Sequence, residues 1–275
     1  MKKWKAGLKR IVAVALAVLL VGNTIEGSSF AVYAAEEGED TYIATRPTAL
    51  YVGGIEVDVS EEPTGTISGD TWGYDYGTNT LTVTGDIAIG GSEAWWDLGA
   101  IEPRGDLNIK VTEDAVLTGV YGIWNDPGST NIIVNEGVTL TLNVTGAGIS
   151  ASGDVTLSGG GTLKAIISST GGYEPILVYG DLKVSNMTIN TAGGQCSCLV
   201  GSGGNYTIEN SQVTFPNGIV HDSDEVNITN SIITEGTTTT VYGEATLRET
   251  LTIGSGETIN FKSGASITNM DSLTI

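Results

Sequence analysis

Six polar residues recur at one position of a repeated phrase. Asp106, Asn131, Asp154, Asp181, Asn205 and Glu225 each stand directly before a short apolar–polar alternation. If the phrases stack as neighbouring strands, these oxygens line one edge at steps of ~5 Å. Calcium takes roughly six to eight oxygen ligands and would relieve the repulsion among such carboxylates. Asp222, Asp224 and Glu225 form the densest point of the column, beside Asn205, so these three acids are the candidate ligands and calcium the candidate ion. The simpler reading is that Gly-Asp makes a good turn into a strand and leaves its charge solvated.

Aromatic residues gather toward the N-terminal side: Trp72, Tyr74, Tyr76, Trp95, Trp96 and Trp124. Ile123 belongs to an apolar column, so Trp124, next along the strand, is expected to point outward. Trp95 and Trp96 precede the segment that starts at Ala100-Ile101. Exposed rings near carboxylates such as Asp97 can stack on sugar faces, which makes Trp95, Trp96 and Trp124 candidate ligand-binding residues. Trp72 and Tyr74 are expected to plug the end of the fold instead.

The elements that must position these groups come from the repeat itself. GDLNIKV (105–111), TNIIVNE (130–136), GDVTLSG (153–159), GDLKVSN (180–186), GNYTIEN (204–210) and DEVNITN (224–230) align on Leu107, Ile132, Val155, Leu182, Tyr206 and Val226, at spacings of 25, 23, 27, 24 and 20 residues. A turn and a second strand follow each, marked by Leu117, Leu140, Leu163, Ile189, Val213 and Ile233. A third apolar point is Ile101, Ile123, Ile149, Ile176, Leu199 and Ile219. Three short strands in each repeat predict an all-β chain wound as a right-handed parallel β-helix, one coil per unit. An antiparallel sandwich would place its turns at intervals of ~8–12 residues without this three-part order. Asn186, Asn210 and Asn230 fall at bends, where Asn tolerates a left-handed backbone, and a ladder of their side-chain amides along one corner is expected.

Before the repeat, ALYVGGIEVDV and TWGYDYGTNTLTVTGDI read as hairpins turning at Gly53-Gly54 and at Gly77-Thr78-Asn79. Residues 48–98 are therefore expected to form an N-terminal cap and first coil, and 99–275 the coils. An open solenoid end exposes a strand edge that must be covered. At the other end the pattern stops inside a strand without a polar cap or sorting motif, so a missing C-terminal part is expected to hold the cell-wall attachment.

Residues 1–34 read as a secretory signal. A basic leader from Lys2 to Arg10 precedes the apolar run Ile11–Val21, too short for the ~20 residues of a membrane span, and a small-residue site follows at Val32-Tyr33-Ala34. Cleavage there would leave no stable membrane span. Removing this segment takes five of 12 basic residues and one of 32 acids, leaving a formal charge of −24. Such a surface repels phosphate backbones and excludes nucleic acid as a partner. Residues 35–47, with the acidic run Glu36–Asp40, read as a disordered lead-in. Cys196 and Cys198 cannot build a disulfide framework; packed thiols are favoured over a strained local disulfide or a metal site.

LYVGGIEV, GYDYGTNTLTVTGD and the reiterated I…GDLxI…GTL units, over roughly residues 48–275, resemble secreted Firmicutes surface proteins of the carbohydrate-binding-domain type, described as pectate-lyase-like β-helices. The resemblance implies a non-catalytic role at a Gram-positive cell surface or cellulosome, with polysaccharide (plant or host glycan) as partner and calcium as a feature. Lyases of that architecture need a cationic base beside calcium, and no basic pair here shares a column with the acids. Inverting hydrolases need paired carboxylates at working separation. His221 with Asp222 and Asp224 is the one approach to that arrangement, and it lacks the Gly-flanked His motif of those enzymes. No catalytic residue is assigned. The expectation is an exported, non-enzymatic polysaccharide-binding or adhesive protein, with a purely structural stalk as the alternative and a calcium-dependent lyase or hydrolase behind both.

Overall fold

The computed structural model describes residues 46–59, 66–89, 99–169, 173–201, 204–221 and 225–275. Among them no α-helix is present, and nearly every element is a short strand. The proposed signal and most of the lead-in lie outside the described residues.

Both expected hairpins form. β1 (Ala49–Val52) pairs antiparallel with β2 (Ile55–Val57), and β3 (Thr66–Ser68), β4 (Trp72–Asp75) and β5 (Thr80–Val83) make an antiparallel meander. Asn79 takes φ 52° at the turn into β5. Tyr74 is buried and its hydroxyl donates to Asn79 Oδ1 at 2.8 Å, while Asn79 Nδ2 donates to the Asp106 carbonyl at 2.9 Å. Tyr74 thus ties the cap to the coil above it, and Trp72 packs half-buried against the same core. β6 (Ile87–Ala88) completes this level.

Six coils follow, each of three strands. The first is β7 (Gly99–Arg104), β8 (Leu107–Val111) and β9 (Ala115–Gly119); the second is β10 (Tyr121–Asn125), β11 (Thr130–Val134) and β12 (Thr139–Val144). The third is β13 (Ile149–Ala151), β14 (Val155–Ser158) and β15 (Thr162–Ile167), and the fourth is β16 (Ile176–Val178), β17 (Leu182–Ser185) and β18 (Thr188–Ala192). The fifth is β19 (Cys198–Val200), β20 (Tyr206–Glu209) and β21 (Gln212–Phe215); the sixth is β22 (Ile219–His221), β23 (Val226–Thr229) and β24 (Ser231–Glu235). Corresponding strands pair in parallel and build three walls: sheet A from the β7 column, sheet B from the β8 column and sheet C from the β9 column. Inward residues such as Leu107, Val155, Leu182 and Tyr206 stack into one buried core.

The register corrects the sequence alignment at three places. Thr130, not Ile132, lies beside Leu107 and Val155, because the second coil spends two residues more after that point than the alignment assumed. Leu117 pairs with Leu142, which leaves Leu140 opposite Ala115. In sheet A it is Cys198 that continues the column of Ile176 and Ile219, and Leu199 faces outward. Cys198 is fully buried, Cys196 nearly so, and both thiols are free; burial pushes the Cys198 thiol well above its usual range. The pair behaves as small hydrophobic side chains.

The corners are held by side chains reaching to the backbone of the next coil. Where sheet A turns into sheet B, Asp106 Oδ1 accepts from Ser129 N (2.9 Å) and Ser129 Oγ accepts from Asp154 N (3.1 Å). Asp154 Oδ1 then accepts from Asp181 N (2.9 Å), and Asp181 Oδ1 from Asn205 N (2.8 Å). The glycine before the acid has its own reason: a Cβ on Gly180, ahead of Asp181, would sit 2.6 Å from the Gly153 carbonyl carbon. Gly-Asp is therefore a stacking position followed by a clamp. At the next corner Asn186, Asn210 and Asn230 do take left-handed φ of 55°, 49° and 47°. Their amides do not form the expected ladder. The ladder is carried by serine: Met187 N donates to Ser211 Oγ and Ser211 N to Ser231 Oγ, each at 3.1 Å.

The C-terminal stretch keeps a repeat but reverses it. After β24 the chain turns at Gly236, and β25 (Thr238–Tyr242) runs antiparallel to β24. β26 (Glu244–Thr246) and β27 (Leu251–Thr252) complete one small coil, and β28 (Thr258–Phe261), β29 (Ser266–Thr268) and β30 (Leu273–Thr274) stack in parallel on it. Its interior is a second core of Ile232, Val241, Ala245, Leu247, Leu251 and Ile253. Ile233 faces the main core and Ile232 faces this one, so β24 is buried on both sides. Outside, Gln212 Oε1 accepts from Arg248 N (2.8 Å) and Glu249 N (3.1 Å), while Glu249 Oε2 accepts from Asn190 Nδ2 (3.1 Å). Arg248 Nε donates to the Asn210 carbonyl at 2.9 Å and Nη2 to Asn186 Oδ1 at 3.3 Å, fastening the small unit across several coils.

Two outcomes follow from this packing. Ile232→Ala should cost about 2–5 kcal/mol in denaturant unfolding, as much as a core truncation, although alternation along the main solenoid would call position 232 a surface site. A cost under about 1 kcal/mol would mean that the second core does not exist. Burial pushes the Tyr74 phenol up to about 12. Its neutral form then contributes stability that is complete below pH 10 and drains away as pH rises toward 12. Tyr74→Phe should flatten the loss of stability across that window, measured by melts at stepped pH.

Candidate functional site

Trp124 lies on β10 with Ile123 turned into the core, as alternation requires, and is itself half-buried on the outer side. Because Ile123 sits beside Ile101 in the pairing of β10 with β7, the residue flanking Trp124 on the neighbouring strand is Glu102. Room for the indole comes from Gly99, where a Cβ would approach Trp124 Cβ at 3.2 Å and the Ile101 carbonyl at 3.0 Å. Tyr121 stacks behind the indole with ring centroids 5.3 Å apart and 29° between planes. Tyr173 meets Tyr121 edge-on at 6.4 Å. Burial, with Tyr173 and Tyr179 nearby, pushes the Tyr121 phenol above its ordinary value. Tyr173 and Tyr179 remain 43% and 58% exposed, which keeps two further rings open to solvent on this side.

A cavity of ≈ 220 Å³ lies against Trp124 and is lined by Glu102, Arg104 and Asp126. Arg104 Nη2 stands 3.4 Å from Glu102 Oε1, the acid buried and the guanidinium half-exposed. The cavity is smaller than the ~300–1,000 Å³ of an enclosing ligand pocket. Its size suits one ring of a longer molecule that passes over the surface. An indole face beside carboxylate acceptors and a guanidinium donor is chemistry for a polyol: stacking on the ring's C–H face, with hydrogen bonds to hydroxyls at its rim. A larger depression of ≈ 410 Å³ is bounded, among the described residues, by Thr48, Ala49, Glu56, Val57, Asp58 and Val59, none of them aromatic or basic.

Of the sequence candidates, Trp124 is thus placed in a cavity with polar partners. Trp95, Trp96 and Asp97 lie outside the described residues, as do Asp222 and Asp224; Glu225 is described and exposed. Among the described residues no group of three or more His, Cys, Asp or Glu is arranged to hold a metal ion. Asp106, Asp154 and Asp181 of the acidic column are engaged with backbone N–H groups of the next coil, and Asn131 belongs to another column, where it donates to Asn108 Oδ1 at 3.3 Å. His221 stacks on Tyr206 with ring centroids 6.2 Å apart. No helix among the described residues is long and apolar enough to cross a membrane.

Sequence reading missed Glu102, Arg104, Asp126 and Tyr121. The signal for Glu102 was present: it follows Ile101 as Trp124 follows Ile123, one coil apart. Tyr121 carried no such signal, because its ring reaches Trp124 along its own strand. Compared with family models, curated proteins and solved structures, the chain matches none.

The cavity makes one demand on its own parts. Gly99→Val should push the Trp124 ring toward solvent and red-shift its fluorescence, and should lower the melting temperature because the added Cβ also meets the Ile101 carbonyl at 3.0 Å. Unchanged indole emission would separate Gly99 from the shaping of this site.

Proposed function

We propose that this chain is an exported, non-enzymatic surface protein whose solenoid binds polysaccharide on sheet A through Trp124. The observation that carries the reading is the indole face in a cavity with Glu102, Arg104 and Asp126, backed by Tyr121. Stacked backing fixes the ring's orientation, so little side-chain entropy is lost when a sugar settles on it. Two carboxylates against one guanidinium disfavour uronates and sulfated sugars, and the formal charge of −20 adds to that bias. Neutral glycans are the class this site takes.

The second reading is a stalk with no ligand, supported by the regular stacking of the coils and by corner acids spent on backbone clamps. Affinity electrophoresis in gels of neutral and acidic polysaccharides separates the two. Trp124→Ala should weaken retardation by a neutral polysaccharide about tenfold, the worth of roughly 1.4 kcal/mol of stacking. Absence of retardation by every neutral polysaccharide would leave the stalk. Calcium at Asp222, Asp224 and Glu225 is a separate proposal: melting temperature should rise with calcium and fall with chelator, since binding only the folded form must stabilise it. An unchanged melt at millimolar calcium removes the ion.

A further inference from the structure

The two ends of the solenoid are stepped, and the steps match. At the leading end sheet B extends two strands, β4 and β3, beyond β5, whereas sheet C stops at β6 on the same level as β5. At the trailing end the order is inverted. Sheet C extends two strands, β25 and β28, beyond β24, whereas sheet B stops at β23 of the same coil. A step two strands high in one sheet thus faces a recess two strands deep in the same sheet at the opposite end.

We propose that copies of this chain assemble head to tail, with β23 of one pairing with β3 of the next and β28 with β6. Chain direction permits both pairings. β3 is antiparallel to β4, β4 is antiparallel to β5, and β5 runs parallel to the coils, so β3 meets β23 in parallel. β28 runs opposite to the coils through the reversal at β25, while β6 runs with them, so this pair is antiparallel. In sheet A the same stacking leaves one strand position open between β22 and the next copy's β2, because only β2 extends there beyond the level of β1.

Among the described residues these edges carry no protection against this contact. Free edges are ordinarily blunted by charge, proline or a bulge. VNIT in β23, TIS in β3, TINF in β28 and IA in β6 contain no charged residue and no proline. Val226 occupies the column in which Leu107, Val155, Leu182 and Tyr206 are buried, yet it is 45% exposed. Ile228, above the buried Ile208, is only half-covered. The core therefore ends at an uncovered apolar layer between two edges whose N–H and C=O groups have no described strand beside them. A second copy supplies both a backbone ladder and cover. Head and tail are different surfaces, so the contact is heterologous and, unless it closes into a ring, builds a filament. Net negative charge opposes it, and salt should relieve that opposition.

Four exposed positions test it: Asn227→Lys with Asn260→Lys blocks the tail, and Ser68→Lys with Ala88→Lys blocks the head. Sedimentation velocity of the full chain over a concentration series should show mass that grows without plateau, and more so with added salt. Each double variant should lose that growth and stay monomeric while keeping its melting temperature. An equal mixture of the two should form a dimer and stop, because it retains one intact tail and one intact head. A parent chain that remains monomeric at all concentrations, a dimer that both variants still form alone, or association that salt weakens would each overturn the proposal.

Discussion

A parallel solenoid depends on one constraint: every strand must lend its backbone hydrogen bonds to the coil above and the coil below, at a fixed spacing, for as long as the stack lasts. A coil may vary in length only where it leaves the sheets. The corners absorb that variation here while holding the stack in register. Asp106, Ser129, Asp154 and Asp181 each accept an amide at the same corner of the following coil, and at the next corner Ser211 and Ser231 each accept an amide of the preceding coil. These contacts repeat because the backbone groups they serve repeat. The core then needs little more than an apolar residue at each inward position.

That logic explains why the fold was legible in the sequence and where reading became uncertain. Period, three-part order and turn residues are local, and they gave parallel coils without further information. Register is not local. Thr130 and Ile132 both face inward, and nothing in TNIIVNE says which of them lies level with Leu107; the neighbouring coils decide it. QCSCLV left open which face Cys198 and Leu199 take, resolved with Cys198 inward. The asparagine bends were read correctly as left-handed positions, but the partner that bonds along the corner was the serine one residue further on. Direction was least legible of all. The strands after Glu235 keep the right period, and only the antiparallel pairing of β24 with β25 shows that the winding has turned over.

The site was legible to the extent that it depends on alternation. Trp124 faces outward because Ile123 faces inward. Its surroundings depend on which residue of the previous coil lies alongside, and on Tyr121, three residues back on the same strand. The acidic column shows the opposite case. Its regular spacing suggested a ligand, and three of its members, Asp106, Asp154 and Asp181, hold amides of the next coil. Carboxylates at a repeated turn can serve the backbone before they serve an ion.

The first three residues of β24, Ser231, Ile232 and Ile233, leave no side on which substitutions can accumulate. Elsewhere in the coils an outward threonine can drift to another polar residue at small cost, since only water is offended. Ser231, Ile232 and Ile233 have no such freedom: a serine that carries the corner, an isoleucine owed to one interior and an isoleucine owed to the other. Evolutionary change at this short segment is therefore coupled to two hydrophobic interiors at once, and the small C-terminal unit is tied to the history of the larger solenoid through three adjacent residues.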